Sequence, residues 1–161
     1  MDLFLNFPLW FALTAIFFAQ FVKVPLHFIV TKKWDWSLLT STGGMPSSHS
    51  AAVAALSTGI ALQEGLGSPL FAVSAVFAII VMFDATGVRR QAGEHAIVLN
   101  QLTSDFQRFL EEAKDWPEKP KHEKRDELKE LLGHKPVEVF FGGLTGIGLA
   151  LILYYFIEPI I

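Results

Sequence analysis

Residues 65–83 read GLGSPLFAVSAVFAIIVMF, nineteen positions without a single Asp, Glu, Lys or Arg. An α-helix of that length is roughly 28 Å long, close to the hydrocarbon thickness of a bilayer. Two further windows are equally free of charge: residues 3–22 (LFLNFPLWFALTAIFFAQFV) and residues 139–157 (VFFGGLTGIGLALILYYFI). A fourth, residues 36–63, is also uncharged, but its first half is rich in Ser, Thr, Gly and Pro. Only residues 50–63 of it read as helix, weakly apolar and short, so that helix is expected inside a bundle and not against lipid.

The composition of the 161-residue chain agrees with a membrane protein. Hydrophobic residues make up 52% and charged residues 18%, against about a quarter charged in an ordinary soluble domain. A disordered chain, a coiled-coil rod and a collagenous repeat are excluded on these figures. The absence of cysteine removes disulfides, thiol nucleophiles and thiolate metal sites. A net charge of −3 gives no electrostatic reason to bind nucleic acid.

Charge is also sorted along the chain. All thirteen basic residues fall either at Lys23, Lys32 and Lys33 or between Arg89 and Lys135. With four spans and both termini outside, these stretches share one face, which the positive-inside rule makes cytoplasmic. The other face keeps Asp2, Glu64 and Glu158. Residues 3–22 lack a basic leader, and Lys23-Val24-Pro25 stands where a signal peptide would have small residues, so the segment is expected to be a retained span.

The fold expected is an all-α integral membrane bundle of about four transmembrane helices, with spans near 3–22, 49–63, 66–83 and 138–157. A polar cytoplasmic segment, 84–137, carries an amphipathic helix: Val88, Ala92, Ala96, Leu99, Leu102, Phe106, Phe109 and Leu110 recur every three or four positions. Residues 24–36 read as an interfacial stretch with Trp34 and Trp36 at headgroup depth. Residues 121–132 read as a short, charged, solvated helix. Gly142 and Gly146 make a small-xxx-small pair suited to close helix packing.

Two segments carry chemistry. The first is Gly43-Gly44-Met45-Pro46-Ser47-Ser48-His49-Ser50. Glycine, proline and serine at a helix start present backbone N–H groups and hydroxyls to an anion, phosphate being the commonest. The bland reading is a Ser-capped helix after a turn, with His49 merely interfacial. The second runs from Asp84 through Arg89 and Arg90 to His95. Two guanidiniums suit a phosphoryl group, and an imidazole can attack phosphorus or transfer protons. Its bland reading is a juxtamembrane basic pair that holds topology, with Asp84 an ordinary interfacial carboxylate. A short turn at Gly65 and Gly67 makes the flanking helices antiparallel, so the two segments and Lys23 meet at one membrane depth. Together they predict a phosphate-sized cationic pocket.

GGMPSSHSA, DATGVRRQAGEHAIVLN and ELLGHKPVEVFFGGLTGIGLA, in that order, resemble the divergent type-2 phosphatidic acid phosphatase family, and the resemblance covers nearly the whole chain. That family is related by motif to lipid phosphate phosphatases, acid phosphatases and vanadium-dependent haloperoxidases. The resemblance implies His95 as the nucleophile, forming a phosphohistidine, and His49 as general acid. It places Arg89, Ser47 and backbone N–H groups on the phosphoryl oxygens; Lys23, Gly44, Ser48 and Arg90 complete the candidate phosphate-binding set. The chain departs from the wider pattern in four places. Ser48 replaces Gly, Val88 replaces Ser, Leu99 stands where an orienting Asp belongs, and Lys23 lacks an Arg-Pro partner. Asp84 and His134 are alternative catalytic groups, His134 beside Lys135 reading more simply as a helix-end residue. His27 and His122 read as interfacial and solvated.

The function expected is hydrolysis of a lipid phosphate or pyrophosphate, in a bacterial cell membrane, with the site on the cytoplasmic face. The alternative is a non-catalytic membrane protein that binds anionic headgroups or a partner through the same pocket. No His, Asp or Glu set has metal-ligand spacing, and neither metal nor cofactor is expected. Membrane lipid is the expected partner, nucleic acid is not, and self-association into a homo-oligomer is left open.

Overall fold

The computed structural model describes residues 5–112 and 133–157. Five α-helices follow one another: α1 (Phe7–Thr31), α2 (Ser48–Glu64), α3 (Pro69–Thr86), α4 (Val88–Glu112) and α5 (Pro136–Ile157), with a 3-10 turn at Trp36–Thr40 between α1 and α2. No strand occurs among the described residues. The protein is an all-α membrane bundle. Residues 121–132, read from the sequence as a charged helix, lie outside the described residues.

The first three helices begin where the sequence supplies a cap. The Asn6 side chain accepts the Leu9 N–H at 3.1 Å, Ser47 caps α2 and Ser68 caps α3, each satisfying an otherwise orphaned first-turn donor. α1 differs from the apolar window in extent. It starts at Phe7 and continues through Pro25 to Thr31, ending on a left-handed Lys32. The stretch expected to lie at the interface is therefore largely the last turns of this helix. A 25-residue helix is about 37 Å long, so one end must leave the hydrocarbon. Beyond that end Phe28 stacks on Trp34 at 4.4 Å and Trp34 on Trp36 at 5.8 Å, an aromatic group of the kind that settles at headgroup depth.

α1, α3 and α5 each supply a stretch long and apolar enough to cross a membrane. α2 does not meet that test on its own. It packs instead against all three, and Ser48, Ser50, Ala51, Val53, Ala54, Ala55, Ser57 and Gly59 are buried there. A helix of Ser, Ala and Gly can sit at membrane depth only where other helices shield its hydroxyls. Ser74 on α3 donates to Ser57 across the contact at 3.2 Å.

The core is correspondingly small-grained: Ala15 and Ala19 of α1, Ala51 and Ala55 of α2 and Ala150 of α5 are fully buried around Phe11. Backbone approach is closest between α2 and α5. A Cβ on Gly142 would lie 2.5 Å from the Ser47 carbonyl oxygen, and one on Gly146 would collide with the Ala51 carbonyl. The large apolar side chains point outward instead: Phe17, Phe21, Val73, Phe83 and Tyr155 are each more than 60% exposed, as befits a surface solvated by lipid tails.

Candidate functional site

The helix directions gather the polar groups at one end of the bundle. The last third of α1 brings Lys23, the first turn of α2 brings His49, the end of α3 brings Asp84, and α4 opens with Arg89. The loop before α5 brings His134, and the first turn of α5 brings Glu138, to the same place.

Backbone bonds lock these segments together. Ser47 donates its N–H to the Glu138 carbonyl at 3.0 Å, and His134 donates its N–H to the Ala85 carbonyl at 2.9 Å. Gly133 has a positive φ of 85°, and any Cβ there would strike the backbone of Arg89 and Arg90. Glycine alone fits this junction. On the opposite side the Gln20 amide donates to the Leu39 carbonyl at 2.9 Å, holding the loop before α2 against α1.

Lys23 is 2% exposed. Its ammonium donates to the Ser41 carbonyl at 3.4 Å; Glu138 acts on it electrostatically, but no described carboxylate makes a direct ion pair with it. Burying a cation on so little compensation costs several kcal/mol unless an anion arrives. Gly44, at a positive φ of 89°, lies along the Lys23 stem, its missing Cβ 3.8 Å from Cδ.

His49 is partly buried and lies within electrostatic reach of Arg89, His134, Lys23 and Asp84. Arg89 donates from Nε to Asp84 Oδ2 at 2.6 Å. Both are substantially exposed, so the pair adds little to stability, but it fixes the guanidinium at the mouth of the site.

His134 is the most constrained of these groups, at 2% exposed. Its Nδ1 lies 3.0 Å from Glu138 Oε2, and the same oxygen accepts the Lys135 N–H at 3.1 Å. This is the capping-box geometry of a helix N-terminus, here also holding an imidazole. With Nδ1–H donating to the carboxylate, Nε2 carries the lone pair. That Nε2 is buried and has no hydrogen-bond partner. The ring lies 6.1 Å, centroid to centroid, from His49.

The site predicted from sequence is thus assembled in part. Lys23, Gly44, Ser48, His49, Asp84 and Arg89 converge. Ser47 is at the same place but serves the fold: its hydroxyl caps α2, accepting from the Ser50 N–H at 3.3 Å and the Ser50 hydroxyl at 3.1 Å. Its N–H is also taken and the residue is fully buried, so only the hydroxyl hydrogen is left to donate. Arg90 pairs along α4 with Glu94 at 3.0 Å and does not join. His95 is exposed on α4 and makes no hydrogen bond, ion pair or ring contact among the described residues. The dyad of His134 and Glu138 lies beside His49 instead. Its sequence signal was the four-residue spacing of His and Glu across Lys-Pro-Val at a helix start.

Comparison with known proteins follows the same lines. The chain matches the divergent PAP2 family over residues 4–149. An uncharacterised membrane protein of Bacillus subtilis (strain 168), YuiD, is 68% identical over 156 residues, which is 97% of this chain and 99% of the relative. No solved structure matches.

Proposed function

The chain belongs to the divergent PAP2 family, and from that premise we propose that it is a membrane phosphatase whose nucleophile is His134. The reaction is hydrolysis of a lipid phosphate or pyrophosphate presented at the cytoplasmic leaflet. One observation carries the reading: a buried, unpartnered imidazole nitrogen, oriented by a carboxylate and facing a second histidine. An orphaned buried acceptor costs about 1–3 kcal/mol, a cost that makes sense where a ligand meets it.

The chemistry follows from the placement. With ring centroids 6.1 Å apart, the two imidazoles are neighbours that one phosphoryl group bound at this end of the bundle can meet together. Nε2 of His134 attacks phosphorus, and the bond to the leaving oxygen breaks. Protonated His49 gives that oxygen its proton, releasing the lipid alcohol and leaving His49 neutral. The phosphoryl group is then held as N-phosphohistidine. Water attacks next, giving its proton to His49, and cleavage of the P–N bond returns phosphate and free His134. Glu138 stabilises the positive charge that develops on the His134 ring, the role of a carboxylate behind a catalytic imidazole. Lys23 and Arg89 offset charge on the phosphoryl oxygens, with Asp84 holding Arg89 in place.

A second reading is favoured by the commitment of Ser47 to capping. With its N–H spent on the Glu138 carbonyl and its side chain buried, one fewer donor is available to stabilise a transition state. The pocket then holds a phosphate headgroup without turning it over.

Phosphate release by detergent-purified protein from a panel of lipid phosphates tests both readings. Turnover is expected in the wild type, with losses on the order of 10²–10⁴-fold in His49→Ala and loss to background in His134→Ala. Retention of activity by His134→Ala with loss in His95→Ala would return the nucleophile to α4. Binding of orthovanadate without turnover of any lipid phosphate would support the non-catalytic reading.

A further inference from the structure

The active-site reading leaves α4 unused. Its residues Val88, Ala92, His95, Leu99, Leu102, Phe106 and Phe109 are spaced 4, 3, 4, 3, 4 and 3, three unbroken heptads with an apolar seam. Nothing described in the chain covers that seam: α3 is the helix α4 packs against, and Val88, Leu99, Leu102, Phe106 and Phe109 are between 49% and 68% exposed. Backbone bonds run through the junction, Gly87 to Phe83 at 2.9 Å and Gln91 to Gly87 at 3.0 Å, so α3 and α4 form one long, nearly continuous helix.

We propose that α4 pairs with α4 of a second copy of this chain as a parallel two-stranded coiled coil. Three features favour that occupant over a lipid surface. The spacing follows the 3.5-residue seam of a coiled coil without a slip. Helices that lie on membranes carry Lys and Arg on the polar face, yet residues 91–107 contain none and hold Glu94 and Asp105 instead. These carboxylates repel an anionic leaflet. The stripe is also long: Leu99, Leu102, Phe106 and Phe109 are each at least 49% exposed, a continuous apolar surface for a partner to cover.

The membrane sets the symmetry. Two copies inserted with the same orientation are related by a two-fold axis along the membrane normal, so their α4 helices run parallel and residue faces like residue. His95 falls at one seam position, where a polar side chain in an apolar stripe selects the in-register pairing. The exposed histidine, without a partner among the described residues, thereby acquires a structural place.

The natural absence of cysteine makes the test clean. Full-length Leu102→Cys, at the seam, and Ser104→Cys, on the opposite face of α4, are oxidised with copper phenanthroline in native membrane vesicles. Leu102→Cys is expected to give the disulfide dimer in at least about tenfold excess over Ser104→Cys, as seam geometry requires. Adding Phe106→Asp to Leu102→Cys is expected to remove the dimer while membrane insertion persists. Equal crosslinking at both positions would mean random collision and overturn the proposal. Absence of the dimer at residue 102 would overturn it too; there, quenching of a residue-102 fluorophore by nitroxide lipid would assign the face to the membrane, and free access to aqueous quencher would leave it solvated.

Discussion

At the residue scale the informative feature is a charge placed where it should not be stable. Lys23, the one Asp, Glu, Lys or Arg in α1, is buried and held by one long hydrogen bond. If its purpose is to meet an anion, removing the charge relieves the apo protein and harms ligand binding. Lys23→Met keeps the length of the stem and is expected to raise the stability of the purified protein by about 1–4 kcal/mol, the range seen when buried charge is replaced by apolar groups. Binding of orthovanadate should weaken at least tenfold. A melting curve and an anion titration on the same sample check both signs; a variant that loses stability would make Lys23 a structural residue. Lys23, His49 and Arg89 were legible in the sequence because each stands at the end of a span, where membrane depth alone brings them level. His134 was legible only as an alternative catalytic group, behind its simpler reading as a helix-end residue. A His next to Lys and Pro at a helix start satisfies the rules for a capped terminus, and it does cap one. Only the contacts with Glu138 and His49, made across the packed ends of α2, α3 and α5, distinguish it. His95 lies apart from these groups because a motif counts residues along the chain, and α4 takes its first turns past the bundle before His95 is reached.

At the scale of elements the assembly depends on how closely α2 and α5 approach. Within lipid there is little hydrophobic drive to associate helices, so packing contacts carry the interface. Gly146→Val sets a side chain against the Ala51 carbonyl, a backbone atom that cannot rotate away. Overpacking of this kind costs about 1–3 kcal/mol or more, and because Ser47 and His49 begin α2, the site should distort with it. Gly148 lies on the same helix with nothing near its missing Cβ. Gly148→Ala is therefore expected to be neutral or to stabilise by up to about 1 kcal/mol through helix propensity alone. Thermal unfolding in detergent compares the two; equal effects would mean that the α2–α5 approach does not limit stability. The Gly142 and Gly146 pair, the buried role of α2 and the turn at Gly65 were all legible, since each follows from side-chain size or charge within a few residues. The extension of α1 was less so. Pro25 and the polar residues after it signal an ending locally, but packing of Lys23 and Val24 against the bundle carries the helix two turns further.

At the scale of the whole molecule, orientation decides what the site can reach. Lys23, Arg89, Arg90 and Lys135 lie at the end of the bundle that holds His49 and His134, with Lys32 and Lys33 just past the end of α1. The turn between α2 and α3 at the opposite end has only Glu64 among its charges. Basic residues flanking spans are retained in the cytoplasm, so the site should open inward. Single-cysteine variants separate the alternatives. Glu64→Cys is expected to react with a membrane-impermeant maleimide in intact cells, and Ser104→Cys only after permeabilisation. The bundle fixes the two ends relative to each other, so one labelling pattern orients every site residue at once. The inward result would confine substrates to the cytoplasmic leaflet and deliver released phosphate to the cytosol. The reverse pattern would place Lys23, His49 and His134 at the outer surface, where only an outer-leaflet headgroup could reach them, and the coiled coil proposed for α4 would project away from the cell.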